Sequence, residues 1–200
     1  MRYLNKIVFL NSAHIPYSEI QLDGNVHFIG TQGVGKSTLL RAILFFYNAD
    51  TQRLGIPVEK KSYQDYYFPY ADSSIIYEVA REDGWFTVLS YKTMNRICYR
   101  FIASPYRPDL FIDEEGAPYP SDRIRSVLDK NGIKYSGAIS TYEEYRNILY
   151  GNSDNKRDYS CYSLMESGSY QNIIRTIQNV LLNSRLEADY IKQTIITSLN

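Results

Sequence analysis

The sequence is poor in the residues that build metal centres and covalent frameworks. In 200 residues there are two cysteines, Cys98 and Cys161, and two histidines, His14 and His27. The cysteines lie far apart without a CxxC pair, so neither a disulfide framework nor a zinc site is indicated. Neither histidine sits in a pattern with ligand spacing. Net charge is also lacking, because 22 Lys and Arg balance 22 Asp and Glu. No overall field therefore draws the chain toward nucleic acid or an anionic membrane. No apolar run approaches membrane-spanning length. The opening MRYLNKIVFLNS has asparagines inside its apolar stretch and no small-residue cleavage site, so it does not read as a signal peptide. A cytoplasmic protein without a membrane partner is expected.

What is present suits one domain of ordinary size, with 44% hydrophobic residues and no low-complexity tract. Tyrosine is abundant, at 20 residues. Half-buried strands are the plain reading of that abundance; a base-stacking surface is the sharper one.

The patterning predicts strands over 4–10, 18–22 and 26–29, with a turn at Asp23-Gly24-Asn25. From Ser37 the apolar positions Leu39, Leu40, Ile43 and Leu44 recur at helical steps and fade by residues 48–50. Two loop-like stretches follow. Residues 74–101 alternate between turns at Glu82-Asp83-Gly84 and 92–95, which predicts an antiparallel meander. There Lys92, Arg96 and Arg100 could meet phosphate, although a solvated strand face is the simpler reading. A short hairpin is predicted around Asp113. A helix follows from Ser121 to the stop at Asn131-Gly132. Ser140-x-x-Glu143 predicts a capped helix to about Leu149, and residues 159–165 read as a strand. From Tyr170 the chain reads as helical, with Ile191, Ile195 and Leu199 on one side. It halts at Asn200 without a stop signal, so a longer natural chain is expected.

The chemistry concentrates in Gly30-Thr31-Gln32-Gly33-Val34-Gly35-Lys36-Ser37, which satisfies GxxxxGK[ST]. Glycines at 30, 33 and 35 let backbone amides turn inward around a phosphate. The following helix adds its positive end to the same anion. Lys36 supplies a mobile charge to the β- and γ-phosphates, Ser37 a hydroxyl ligand for Mg²⁺, and Thr38 a hydrogen bond to the α-phosphate. Bound ATP and Mg²⁺ are the expected cofactors. Hydrolysis needs more: an apolar strand ending in an acid that serves the metal. The local candidate is Leu110-Phe111-Ile112 leading to Asp113-Glu114, with Gly116 and Pro118 following at once as in a hairpin tip.

The strands leading into this loop resemble the N-terminal head segment of SMC/RecF-type ATPases, heads of ABC type carried on coiled coils. Residues 110–116, Asp122-Arg123-Ile124 and 128–133 are similar to that family's "YYING…DI…L…TG(L/I)" passage, in which the acidic tip is a turn. Residues 162–168 fall where the family writes a strand running into its Q-loop. The resemblance implies an α/β P-loop NTPase of ABC/SMC-head type, with a mixed sheet around the loop's helix, an antiparallel meander lobe and C-terminal helices. Residues 1–169 would be the N-terminal lobe, with the antiparallel part at about 74–120 and an insertion at 133–158. Residues 170–200 would begin a coiled coil. The Mg²⁺-contacting glutamine position holds Ser167, with Glu166 before it and Gln171 after it. An arginine acting on nucleotide is implied near Arg53, with Lys60 and Lys61 as weaker candidates. The base would stack near residues 11–14. Partners implied are a C-terminal half of the same protein, a second head and DNA, in chromosome maintenance, repair or defence. ATP would be hydrolysed only in the completed assembly. Two other readings stand beside it: a self-contained kinase or phosphotransferase using Asp113 or Glu114, and a nucleotide-sensing module without turnover.

Overall fold

The fold starts from three tight reversals. β1 (Tyr3–Ser12) and β2 (Ile15–Gln21) are joined by Ala13 and His14, at φ 51° and 62°. β4 (Ser74–Arg81) and β5 (Gly84–Thr93) are joined at Glu82 and Asp83, and β6 (Arg96–Ile102) follows β5 after residues 94–95. β3 (His27–Gly30) pairs with β2, and β1 pairs with β4, which gives the order β3-β2-β1-β4-β5-β6. The structure, a computed structural model, describes residues 2–22, 27–30, 35–48, 62–94, 96–151 and 159–164.

Every strand pair among the described residues is antiparallel. The expected P-loop NTPase of ABC/SMC-head type, with a mixed sheet around the loop's helix, is therefore corrected to an antiparallel sheet flanked by helices. Chain connectivity explains the difference. Two-residue reversals join only antiparallel neighbours, whereas a parallel pair needs a crossover of roughly a dozen residues or more. One connection is long enough, residues 31–73, and it returns β4 antiparallel to β1.

Both sheet faces are covered. On one, Ile7, Phe9, Ile20, Ile75, Tyr77, Val88, Tyr99 and Phe101 share a core with α1 (Lys36–Asn48), α2 (Tyr63–Tyr67) and α4 (Tyr142–Leu149). On the other, Val8, Leu10, Ile76, Leu89, Cys98 and Ile102 pack with Leu110, Phe111 and two residues of α3 (Ser121–Lys130), Ile124 and Leu128. The alternation along β6 follows this split, with Ile97, Tyr99 and Phe101 on the first face and Cys98 on the second. A bulge at Asn5, between the Leu4–Val79 and Lys6–Glu78 pairs, shifts the alternation and turns Leu4 to the α1 face.

From Ala42 to Tyr47 helix α1 is apolar on all sides and buried accordingly: Ala42, Ile43, Leu44, Phe45, Phe46 and Tyr47 are all buried. Phe45 stacks on Tyr63 at 4.4 Å and lies 5.9 Å from Tyr99. Burying each such ring contributes about 1.5–3 kcal/mol. α3 ends as the sequence predicts. Gly132 at φ 65° lets its N–H reach Asp129 O at 3.1 Å and the Ile133 N–H reach Leu128 O at 3.0 Å. α4 starts one residue later than expected, capped by Thr141 Oγ1, which accepts from the Glu144 N–H at 3.2 Å.

The strand expected at 159–165 is a 3-10 turn, Ser160–Tyr162. Its carbonyls are taken by cations instead of a ladder. Arg81 donates to Ser160 O at 2.7 Å and Ser163 O at 3.1 Å, and Arg2 donates to Ser163 O at 3.2 Å. No described helix is long and apolar enough to cross a membrane.

Candidate phosphate-binding site

β3 ends at Gly30, whose partner in β2 is Ser18. Six residues later α1 begins at Lys36. Thr31, Gln32, Gly33 and Val34 lie outside the described residues. The first hydrogen bond of α1 runs from the Leu39 N–H to Gly35 O at 3.1 Å. Gly35 is thus the N-cap, and the amides up to Thr38 lie outside the helix's own ladder. Gly35 is exposed, and a Cβ there would meet no described atom within 4 Å. The backbones of Lys36 and Ser37 form the first turn.

Thr38, the third helical residue, is half-buried, and both its oxygens are engaged by α2. Its hydroxyl lies 3.1 Å from the Tyr66 phenol, and its carbonyl accepts from the Tyr67 phenol at 2.7 Å. α2 itself is capped by Ser62, whose Oγ accepts from the Asp65 N–H at 3.2 Å. The segment after α2 is tied to the β1–β2 turn. Ser12 Oγ donates to Tyr67 O at 2.6 Å, Asn11 Nδ2 donates to Asp72 Oδ1 at 2.8 Å, and Ser73 Oγ donates to Asn11 O. His14 is exposed, with its ring 6.1 Å from that of Tyr66 and edge-on to it.

The remaining length of α1 is held by tyrosines too. Tyr77 donates to Ala42 O at 2.9 Å, Tyr145 to Phe46 O at 2.6 Å, and Tyr150 to Tyr47 O. Burial pushes the phenols of Tyr67, Tyr77 and Tyr145 well above their ordinary value, so all three remain donors. Tyr67, Tyr77, Tyr145 and Tyr150 are thus core residues with a hydroxyl for the helix backbone. The sequence gives a signal for α2, Ser62-x-x-Asp65 before Tyr66-Tyr67, but five residues are too few for periodicity to register.

The other candidates separate. Asp113 caps its own loop, with Oδ1 accepting from the N–H groups of Glu115 and Ala117, both at 2.9 Å. Leu110 and Phe111, just before it, pack on the face opposite α1. Leu110 closes a 3-10 turn and Ile112 bridges Pro118, so no apolar strand delivers Asp113 or Glu114 to the glycine loop. Arg100 is buried, donates to Ser136 O at 2.7 Å and lies 5.3 Å from the Tyr135 ring centre, while Arg96 is exposed. Arg53, Lys60, Lys61, Glu166, Ser167 and Gln171 lie outside the described residues. Among the described residues no three His, Cys, Asp or Glu side chains gather as a metal site.

A family model described as "Protein of unknown function (DUF3584)" matches residues 14–200. No curated protein matches the chain.

Proposed function

This chain belongs to the DUF3584 family, and we propose that it binds Mg·ATP through residues 30–38. One observation carries the reading: GxxxxGK[ST] spans the interval between the end of β3 at Gly30 and the first turn of α1 at Lys36. Strand, glycine loop and helix N-terminus thus follow one another as phosphate binding requires. In this reading the loop amides and the Lys36 ammonium neutralise the β- and γ-phosphates. Ser37 supplies a ligand to Mg²⁺, and the ion would offset charge on the phosphate tail. Among the described residues no atom comes within 4 Å of a Cβ at Gly35, which leaves room for close approach of a ligand.

The resemblance to SMC/RecF-type proteins supports a finer proposal, in which the chain is the ATP-binding N-terminal segment of a larger ATPase acting in DNA maintenance, repair or defence. Turnover would then depend on a C-terminal half and a second copy. Asp113 caps its own loop and so is not available to serve the metal, which favours binding without turnover by the segment alone.

Isothermal titration with Mg·ATP tests the reading. Wild type takes up nucleotide, Lys36→Ala loses at least about tenfold in affinity, and single-turnover assays of this chain alone release no phosphate. Absence of uptake by wild type, or an unchanged affinity in Lys36→Ala, would overturn it.

A further inference from the structure

We infer that Tyr66 is a positioning residue for the phosphate ligand: its phenol donates to Thr38 Oγ1 and leaves the threonine proton free to turn toward a phosphate oxygen. The inference rests on the nucleotide-binding reading above and adds to it a residue that the glycine motif does not contain.

The two hydroxyl oxygens are 3.1 Å apart, and either could donate. A phenol is far more acidic than an aliphatic alcohol, so the better-matched bond has the tyrosine donating and the threonine accepting. An anion arriving at the first turn of α1 reinforces that direction, because it takes the threonine proton and makes Thr38 Oγ1 the stronger acceptor. The geometry is fixed from both sides. Tyr67, the next residue of α2, donates to the Thr38 carbonyl at 2.7 Å, so α2 and the first turn of α1 cannot slide independently. The Tyr66 ring is set edge-on against Tyr67, at 4.9 Å and 82°, and against His14, at 6.1 Å and 83°. Ala13 and His14 hold left-handed backbone, a conformation that persists where the surroundings over-determine it. Here those surroundings are the bonds from Asn11, Ser12 and Ser73 that join the turn to the segment after α2. A continuous path of bonds therefore runs from the β1–β2 turn through α2 to one hydroxyl of the ligand site.

The test titrates Mg·ATP into the full chain carrying Tyr66→Phe, Thr38→Val, Thr38→Ser, or Tyr66→Phe paired with either threonine variant, with the melting temperature of each. Phenylalanine keeps the ring and its packing, so Tyr66→Phe melts with wild type yet binds about threefold to tenfold more weakly. Thr38→Val weakens binding at least as much, and adding Tyr66→Phe to it costs nothing further. Thr38→Ser retains most of the affinity and stays sensitive to Tyr66→Phe. Equal affinity for wild type and Tyr66→Phe, or losses that add in the Tyr66→Phe/Thr38→Val pair, overturn the inference. If wild type binds and Lys36→Ala does not, an unaffected Tyr66→Phe sinks this inference alone. No uptake by wild type sinks the parent reading and this one with it.

Discussion

The phenol of Tyr150, just beyond the end of α4, donates its proton to the carbonyl of Tyr47 in the last turn of α1. Tyr145, one turn earlier, does the same for Phe46 at 2.6 Å. Phe46 and Tyr47 are buried, so their carbonyls cannot turn to water, and these two phenols serve them instead.

Removing those hydroxyls should cost more than removing an apparently similar one. Ala42, in mid-helix, lies one turn before Phe46, so its carbonyl keeps a helical partner when Tyr77 is lost. In Tyr145→Phe or Tyr150→Phe a buried terminal carbonyl loses the phenol that serves it. We expect about 1–3 kcal/mol for each of the latter and about 1 kcal/mol or less for Tyr77→Phe. Urea unfolding with unchanged m-values would measure the order; a larger loss in Tyr77→Phe would contradict the assignment.

Much of the strand layout is legible in the residues. Glu82-Asp83-Gly84 and Asn131-Gly132 are stops whose backbone demands are local, and α1 is visible because Leu39, Ile43 and Leu44 recur at helical steps. The relation of β3 to its neighbours is not, since a four-residue strand carries the same pattern whether its partner runs parallel or antiparallel. The roles of Tyr66 and Tyr67 were equally hidden: a tyrosine that bonds a helix carbonyl and one that faces solvent look alike in sequence. The glycine motif itself is readable because its chemistry is written in consecutive residues, whereas the support for the first turn of α1 comes from the β1–β2 turn and α2, far apart in the chain.

Gly132 tests a purely conformational term. It sits at φ 65° after α3, and a Cβ there would meet nothing within 4 Å. Gly132→Ala therefore brings no clash but must hold an unfavourable left-handed backbone, at a cost of about 1–2 kcal/mol. Gly132→Asn should lose less. Thermal melts of the two variants check the order; equal stability of Ala and Gly would remove the reason given for this stop.

Arg2 and Glu82 define a pH effect with a fixed sign. Arg2 donates to both Glu82 carboxylate oxygens, at 2.8–3.2 Å, and lowers its pKa from the ordinary 4.5 to about 2. A depressed carboxylate stabilises the fold above its unfolded pKa, and that contribution is lost as pH falls from about 4.5 toward 2. The pair is exposed, so its effect is small and screened by salt. The stability gap between wild type and Glu82→Gln should be largest near neutrality, narrow through that window, and shrink in 1 M salt. A gap that widens on acidification would refute the sign.

Glu78 offers the sharpest test of the sheet, because it secures the bulge that reorients the start of β1. It is buried, and its two carboxylate oxygens face two donors: Asn5 Nδ2 at 2.7 Å and the Tyr106 N–H at 2.6 Å. Asn5 is the bulged residue, and its carbonyl also accepts from the Leu22 N–H at 2.8 Å, so the bulge, the end of β2 and the Tyr106 segment meet at one carboxylate. Glutamine fits the same volume but turns an NH₂ toward one of those donors, leaving it buried and unmatched. We expect Glu78→Gln to destabilise by about 2–3 kcal/mol, with Glu78→Ala worse for its cavity. Asn5→Asp would set a second carboxylate against the first at neutral pH, and pairing it with Glu78→Gln should recover part of the loss, since the new amide then has an acceptor beside it. A double variant no more stable than the sum of its parts, measured by denaturant unfolding, would show that Asn5 and Glu78 do not act on one another.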